Sequence, residues 1–331
     1  MNGFKDVVGH KELIQYIENA VDGDILSHAY ILSGQRGSGK RLLAKLFSMA
    51  IQCQNRGDDG SFCNICQSCL QAENENHPDI IKLTHEKVNT ISVEEIRQQI
   101  NHTVAIKPYS NPYKIYIIAD ADLMTVQAQN ALLKTIEEPP DYAIFMLLTE
   151  KVDVLLPTIT SRCVMLKLRN VKDQIIKKYL MDQMLLPEAK ADLCVAFASG
   201  NLGQAMLLAN SDYFNEIRDD VIRLLIHIDD MALEELFLSA KKISDYKLTI
   251  HDYLDLISVW FRDVLLFKAT KNVDQVVFYE QLSEIKERAR TSSYEGLENI
   301  LEGIEKTKAR LKANVSFDLT MELLLLTIKE N

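Results

Sequence analysis

The sequence has little of what marks the unusual protein classes. Of 331 residues, 12 are glycine, 7 proline and 1 tryptophan, which leaves no room for a collagenous, proline-rich or low-complexity chain. No stretch approaches the roughly 18 uninterrupted apolar residues of a membrane span. The opening Met1-Asn2-Gly3-Phe4-Lys5-Asp6 sets no apolar run behind a basic patch. The expectation is a cytoplasmic chain, neither secreted nor membrane-spanning. Basic charge is also short: 37 Lys and Arg face 47 Asp and Glu, a net charge of −10, so bulk composition supplies no broad basic surface for autonomous duplex binding. Six cysteines are too few for a disulfide scaffold, and four of them, Cys53, Cys63, Cys66 and Cys69, lie close together while Cys163 and Cys194 stand alone. What remains is ordinary folded composition, 47% hydrophobic and 25% charged. At about 150 residues per domain, the length predicts two or three domains.

Residues 1 to about 169 alternate short apolar runs with amphipathic segments. Leu13, Ile14, Ile17, Ala20 and Val21 share a helical face, and Ala29-Tyr30-Ile31-Leu32 is a buried strand ending in a glycine loop. A helix follows over 41–51, a second strand over 79–83, and a helix over 93–104 opened by Ser92 with Glu95 as its capping-box partner. Three further apolar strands are read at 115–119, 144–148 and 164–166. Helical patterns between most of them predict an α/β domain with a parallel sheet covered on both faces. From about residue 170 the pattern is all helix. Segments 171–185, 187–199 and 201–210 form a small helical domain (170–210), and longer helices follow (211–331). In these, Leu297, Ile300, Leu301 and Ile304 make one apolar stripe, and Leu319, Leu323 and Leu326 are expected to make another in the last helix. Trp260 and the Met181/Met184 pair read as core.

Gly34-Gln35-Arg36-Gly37-Ser38-Gly39-Lys40 matches the first seven positions of the P-loop pattern between a predicted strand and helix. In such a loop the glycines let backbone N–H groups wrap phosphates and the lysine reaches the outer ones. A glycine-rich turn without a ligand is the alternative. The eighth position should be Ser or Thr to ligate Mg²⁺; here it is Arg41, which supplies no metal ligand. Asp120 ends a predicted strand where a Walker-B aspartate would stand, with a strand-end or helix-capping acid as the alternative. Ring-forming ATPases place a glutamate next; this chain has Ala121. Cys53-x9-Cys63-x2-Cys66-x2-Cys69 is a tetrathiolate pattern that points to structural Zn²⁺ rather than catalytic zinc, since four sulfurs close the tetrahedron. Redox cysteines are the competing reading. Ser161-Arg162-Cys163 precedes a strand, where the Arg162 guanidinium can reach a phosphate held by a neighbouring subunit; a lone loop arginine is otherwise simply solvated.

Together these residues resemble the delta-prime family of bacterial DNA polymerase III clamp-loader subunits, of the AAA+ class and related to the gamma/tau motor subunits. The resemblance is carried by Phe4-Lys5-Asp6-Val7-Val8-Gly9-His10, His28-Ala29-Tyr30, the four cysteines with His77-Pro78-Asp79, Gln129-Asn130-Ala131-Leu132-Leu133-Lys134-Thr135-Ile136-Glu137-Glu138-Pro139-Pro140, and Ser161-Arg162-Cys163. It implies an AAA+ P-loop domain over 1–169 with an inserted zinc module at 53–69, a helical lid over 170–210, and an all-α collar over 211–331. It implies an accessory subunit of DNA replication, not an enzyme on its own, whose partners are gamma/tau and delta subunits, the sliding clamp and primed DNA. Arg162 would act as an arginine finger in trans. The nucleotide set would be Gly34, Gly37, Ser38, Gly39, Lys40, Arg41, Asp120 and the polar sensor Thr149, with ATP or ADP the candidate ligand; a hydrogen-bonded strand threonine is the other reading of Thr149. The motor subunits carry Ser or Thr, Glu and a lid arginine where this chain has Arg41, Ala121 and Gly203. Those departures favour a non-hydrolysing subunit over an ATP-hydrolysing motor. A zinc-stabilised nucleic-acid-binding module with a vestigial loop is the third reading, and the −10 charge opposes it.

Overall fold

The computed structural model describes residues 3–57, 61–87, 90–244, 246, 250–273, 276–313 and 315–331. Two compact units emerge: residues 1–176 with 199–204, and residues 177–198 with 205–331.

The first unit is built on a five-stranded parallel sheet. In chain order it runs α1 (Lys11–Asp22), β1 (Ala29–Ser33), α2 (Lys40–Gln52), α3 (Gln67–Glu73), β2 (Ile80–Lys82), α4 (Val93–Ile96), β3 (Lys114–Ile118), α5 (Val126–Glu137), β4 (Ala143–Thr149), α6 (Pro157–Thr160) and β5 (Val164–Lys167). The strand order is β2-β3-β4-β1-β5. Ile31 of β1 aligns with Leu147 on one side and Met165 on the other. β1, β3 and β4 are buried along their whole length, which is why they read as unbroken apolar runs rather than alternations. Successive side chains still face opposite ways. Tyr30, Leu32, Ile115, Ile117, Met146 and Leu148 meet α1 and α2 through Ile17, Val21, Leu43 and Phe47. Ile31, Tyr116, Ile118, Phe145 and Leu147 meet α4 and α5 through Ile96, Leu132 and Ile136. Tyr116 and Phe145 stack with ring centres 5.3 Å apart.

The helix expected over 93–104 opens as read, with Ser92 and Glu95 closing a reciprocal capping box. After one α-helical turn it widens into a π-helical segment, Arg97–Asn101, closed by the His102 amide on the Arg97 carbonyl. The wider turn accompanies a local dock: Asn101 Nδ2 donates to the Ala131 carbonyl of α5 at 3.1 Å, a bond outside the helical ladder.

The helices that follow are α7 (Asp173–Met184), α8 (Glu188–Ala198), α9 (Leu202–Ala209), α10 (Asp212–His227), α11 (Leu233–Ile243), α12 (Ile250–Thr270), α13 (Leu282–Thr291), α14 (Tyr294–Lys312) and α15 (Phe317–Glu330). In the second unit α12 contributes buried Tyr253, Leu254, Ile257, Trp260 and Phe261, and α14 contributes Leu297, Ile300 and Ile304. One expectation fails in α15. Its inward residues are Met321, Leu324, Leu325 and Ile328, whereas Leu319 and Leu323 face outward, 53% and 42% exposed. The helix is apolar on two faces, so spacing alone could not choose the buried one. Among the described residues no helix is long and apolar enough to cross a membrane.

Candidate functional site

The glycine loop leaves the C-terminal end of β1, beside the end of β4: the Gly34 amide donates to the Thr149 carbonyl at 3.1 Å. Gly37 and Gly39 take φ of 83° and 94°, the left-handed region that an L side chain resists, and α2 begins at once with Lys40. The unpaired first-turn amides of a 13-residue helix therefore face the loop. Lys40 is buried and its Nζ donates to the Gly34 and Gln35 carbonyls at 2.5 and 2.9 Å, folding the side chain over the loop. Burial lowers the Lys40 pKa, and the nearby acids Glu150, Asp122 and Asp120 work against that shift. The Ser38 hydroxyl is buried and has no hydrogen-bond partner among the described residues.

Asp120 stands at the end of β3 with φ of 55° and opens a short 3₁₀ turn, Ala121–Leu123. Its carboxylate is held by Arg41 at 2.6 Å. Ala121, where a catalytic glutamate would be needed, is fully buried, so a side chain here points into the core rather than at the loop. Thr149 Oγ1 lies 3.0 Å from Asp122 Oδ1 and 3.1 Å from the Lys151 carbonyl. Gly203 packs against the loop itself: a Cβ there would stand 2.3 Å from the Gly37 carbonyl oxygen.

The sequence-predicted residues Gly34, Gly37, Ser38, Gly39, Lys40, Arg41, Asp120 and Thr149 thus gather at the ends of β1, β3 and β4. Two neighbours were missed by sequence reasoning. Asn201 Nδ2 donates to the Arg36 carbonyl at 2.6 Å while its Oδ1 accepts the Gln204 amide at 3.1 Å. His10 has its pKa lowered by burial, opposed by a hydrogen bond to the Ser38 backbone. Neither belongs to a loop motif, and only the fold brings them in. The cradle fits phosphate: left-handed glycines, a helix start, a lysine and an unsatisfied hydroxyl converge. It does not fit Mg²⁺, because position 41 offers no oxygen and a guanidinium already holds the Asp120 carboxylate.

Arg162 makes its contacts elsewhere. It follows α6, donates from Nη1 to the Thr158 carbonyl at 2.9 Å and pairs through Nη2 with Glu137 of α5 at 2.9 Å. Ser161 Oγ lies 3.3 Å from Nη1. The arginine side chain stays 40% exposed. Cys163 turns inward, and burial pushes its thiol up to about 12.

The four remaining cysteines of the N-terminal unit converge. Cys53 ends α2 and Cys66 caps α3, and the four sulfurs lie within 4.8 Å of one another, an arrangement that can hold a metal ion. Their amides are already aimed: Cys63 N–H donates to Cys53 Sγ, Cys66 N–H to Cys63 Sγ and Cys69 N–H to Cys66 Sγ at 3.3–3.4 Å. Burial raises the Cys53 and Cys69 thiols. At Cys63 the burial effect is outweighed by hydrogen bonds from Ile65, Cys66 and Cys53, which bring it to about 6. A divalent cation would reverse the burial penalty and deprotonate all four. Behind this cluster, buried His77 lies 3.0 Å from Ser68 Oγ and 2.9 Å from Asn111 Nδ2, and its Nδ1 accepts the Asp79 amide at 3.0 Å.

A parallel sheet of this strand order, with the glycine loop after β1 and an acid after β3, defines a P-loop α/β protein. The family profile described as "DNA polymerase III, delta subunit" matches residues 9–172, and "DNA polymerase III, delta subunit, C terminal" matches 216–330. DNA polymerase III subunit delta' of Bacillus subtilis is 29% identical over 324 residues, 96% of this chain and 95% of that protein. Subunit tau of the same organism is 29% identical over 93% of this chain and 58% of its own length. Subunit gamma of Buchnera aphidicola is 34% identical over 54% of this chain and 48% of its own. The chain thus spans about half the length of these tau and gamma relatives. A gamma subunit-related protein of Thermotoga maritima superposes over 95% of this chain and 98% of its own at 19% identity and a TM-score of 0.39. The chain belongs to the DNA polymerase III family of clamp-loader subunits.

Proposed function

We propose that this chain is a delta-prime-type subunit that does not hydrolyse ATP and lends Arg162 to a nucleotide held by an adjacent motor subunit. In this reading residues 1–169 are the AAA+ domain, 170–210 the lid and 211–331 the collar that joins the ring. Its partners are gamma/tau and delta subunits, and the assembly places a sliding clamp on primed DNA. The carrying observation is the loop's altered surroundings: Arg41 sits on Asp120, Ala121 is buried, and Gly203 lies against Gly37. Hydrolysis needs a metal ligand set, a group that orients water and a lid cation; here Arg41 stands where the first would be, Ala121 where the second, and Gly203, with no side chain, where the third. Lys40, the glycine nest and Ser38 are retained, which supports nucleotide binding without turnover.

What the chain gives its neighbour is a guanidinium on a short tether. Thr158 and Glu137 fix its plane and leave it exposed, so it can meet charge that develops on a transferring phosphoryl group. In the cysteine cluster a zinc ion would be structural, holding 53–69 together where apolar core is scarce.

The test is ATP turnover with Mg²⁺ by the purified chain alone. Background turnover is expected. Robust turnover abolished by Lys40→Ala would make the chain a motor and end this reading.

A further inference from the structure

We propose that Arg41 is the resident cation of the phosphate cradle, and that the loop takes the diphosphate of a nucleotide without a divalent metal. The inference rests on the nucleotide-binding reading above and adds what the ligand must look like. Mg²⁺ demands near-octahedral oxygen ligands and keeps several waters. Of the two side-chain positions it would use, residue 41 offers no oxygen, and the Asp120 carboxylate already accepts from Arg41 Nη2 at 2.6 Å. A guanidinium carries a permanent charge and a planar fork of donors that matches phosphate oxygens. Only Nη2 of Arg41 is engaged among the described residues, and the side chain is 72% exposed, so its other donors are free to meet a ligand.

The charge around the cradle selects the shorter phosphate chain. Lys40 and Arg41 are the cations at its helix end, with Arg36 exposed in the loop; Asp120, Asp122 and Glu150 stand close enough to act on Lys40. Asp122 is itself held by Thr149 and by the Glu150 amide. Two phosphates can lie between the two cations and the loop amides, with Ser38 Oγ gaining the partner it lacks. A third would reach toward the acids. No lid arginine would meet it, because residue 203 is a glycine against the Gly37 carbonyl.

The experiment titrates the full chain with a fluorescent ADP, once with Mg²⁺ and once with EDTA. Wild-type affinity is expected to agree within about twofold between the two buffers, and a fluorescent ATP to bind no tighter. Arg41→Thr is expected to gain at least about tenfold from Mg²⁺, a gain abolished by adding Asp120→Asn; Arg41→Lys should stay metal-indifferent. Circular dichroism melting checks that each variant is folded. Wild-type binding that Mg²⁺ tightens about tenfold or more, or a folded Arg41→Thr without any Mg²⁺ gain, would overturn the proposal while leaving nucleotide binding in place. A fluorescent ATP that binds tighter than the ADP would overturn the diphosphate preference. No binding in either buffer would remove the nucleotide reading as well; the Arg162 role would still be judged by turnover in the assembled complex.

Discussion

At the scale of single residues, the Arg162–Glu137 pair combines fixed placement with weak retention. Both side chains are more than a third exposed, and pairs of that kind contribute only about 0.2–1 kcal/mol. That is enough to bias a rotamer and little enough to release the guanidinium to a phosphate. Arg162→Ala is therefore expected to leave the melting temperature of the chain unchanged and to cut ATPase of the reconstituted clamp loader by about tenfold or more, since trans arginines contribute roughly 10³–10⁵ elsewhere. Steady-state turnover and loading rates equal to wild type would sink the finger role. His77 carries a different prediction. Burial lowers its pKa below the free value of 6.5, with Asp79 opposing, and its Nδ1 accepts a backbone amide, so the folded ring is neutral. The unfolded state then takes up more protons below that value. Stability from this network is complete above the unfolded pKa of 6.5 and is lost as pH falls below it. Melting scans between about pH 7.5 and 5.5 should show a decline that His77→Gln flattens.

At the scale of elements, the cysteine module depends most on something besides apolar burial. Its helix α3 has seven residues, too short to be stable alone, and Cys66 caps it through its own sulfur. Elemental analysis is expected to return about one zinc per chain, and chelation or Cys69→Ser to lower the melting temperature by several degrees. A metal-free chain with an unchanged melt would remove the structural-zinc reading. How much of this was legible follows from the physics of each element. The core strands were plain because both faces are buried, so β1, β3 and β4 are apolar apart from Ser33, Lys114 and Thr149 at their ends. The cysteine spacing was plain because chain geometry lets close thiols converge. The π-helical segment after α4 left no trace, since its side-chain pattern is that of an ordinary helix. The place of Asn201 and His10 beside the loop could not be read, because only tertiary folding brings them there. The inward face of α15 was misread because leucines occupy both sides of that helix.

At the scale of the whole molecule, the misread face becomes informative. Leu319 and Leu323 point outward on α15, and Leu233, Phe237 and Leu238 are exposed on α11, which packs beside it. Phe237 and Leu238 line a groove together with Glu234, Lys241 and Glu322. Apolar patches rimmed by charge are the kind of surface that partners cover, and under the proposed collar reading a neighbouring subunit would cover this one. The double variant Leu238→Glu/Leu323→Glu is expected to melt within about 1 kcal/mol of wild type, because these side chains are solvent-facing, yet to assemble poorly with gamma/tau and delta. Gel filtration of the mixed subunits reads the outcome, and undiminished assembly would move the interface elsewhere. The glycine at 203 also limits which side chains that position can accept. An arginine placed there would begin with its Cβ 2.3 Å from the Gly37 carbonyl oxygen, so the backbone must retreat before the side chain can reach any phosphate. Restoring Thr at 41 and Glu at 121 first would not relieve that collision. In the proposed non-hydrolysing reading, what opposes an arginine at 203 is a backbone contact, which acts whatever side chains stand at 41 and 121.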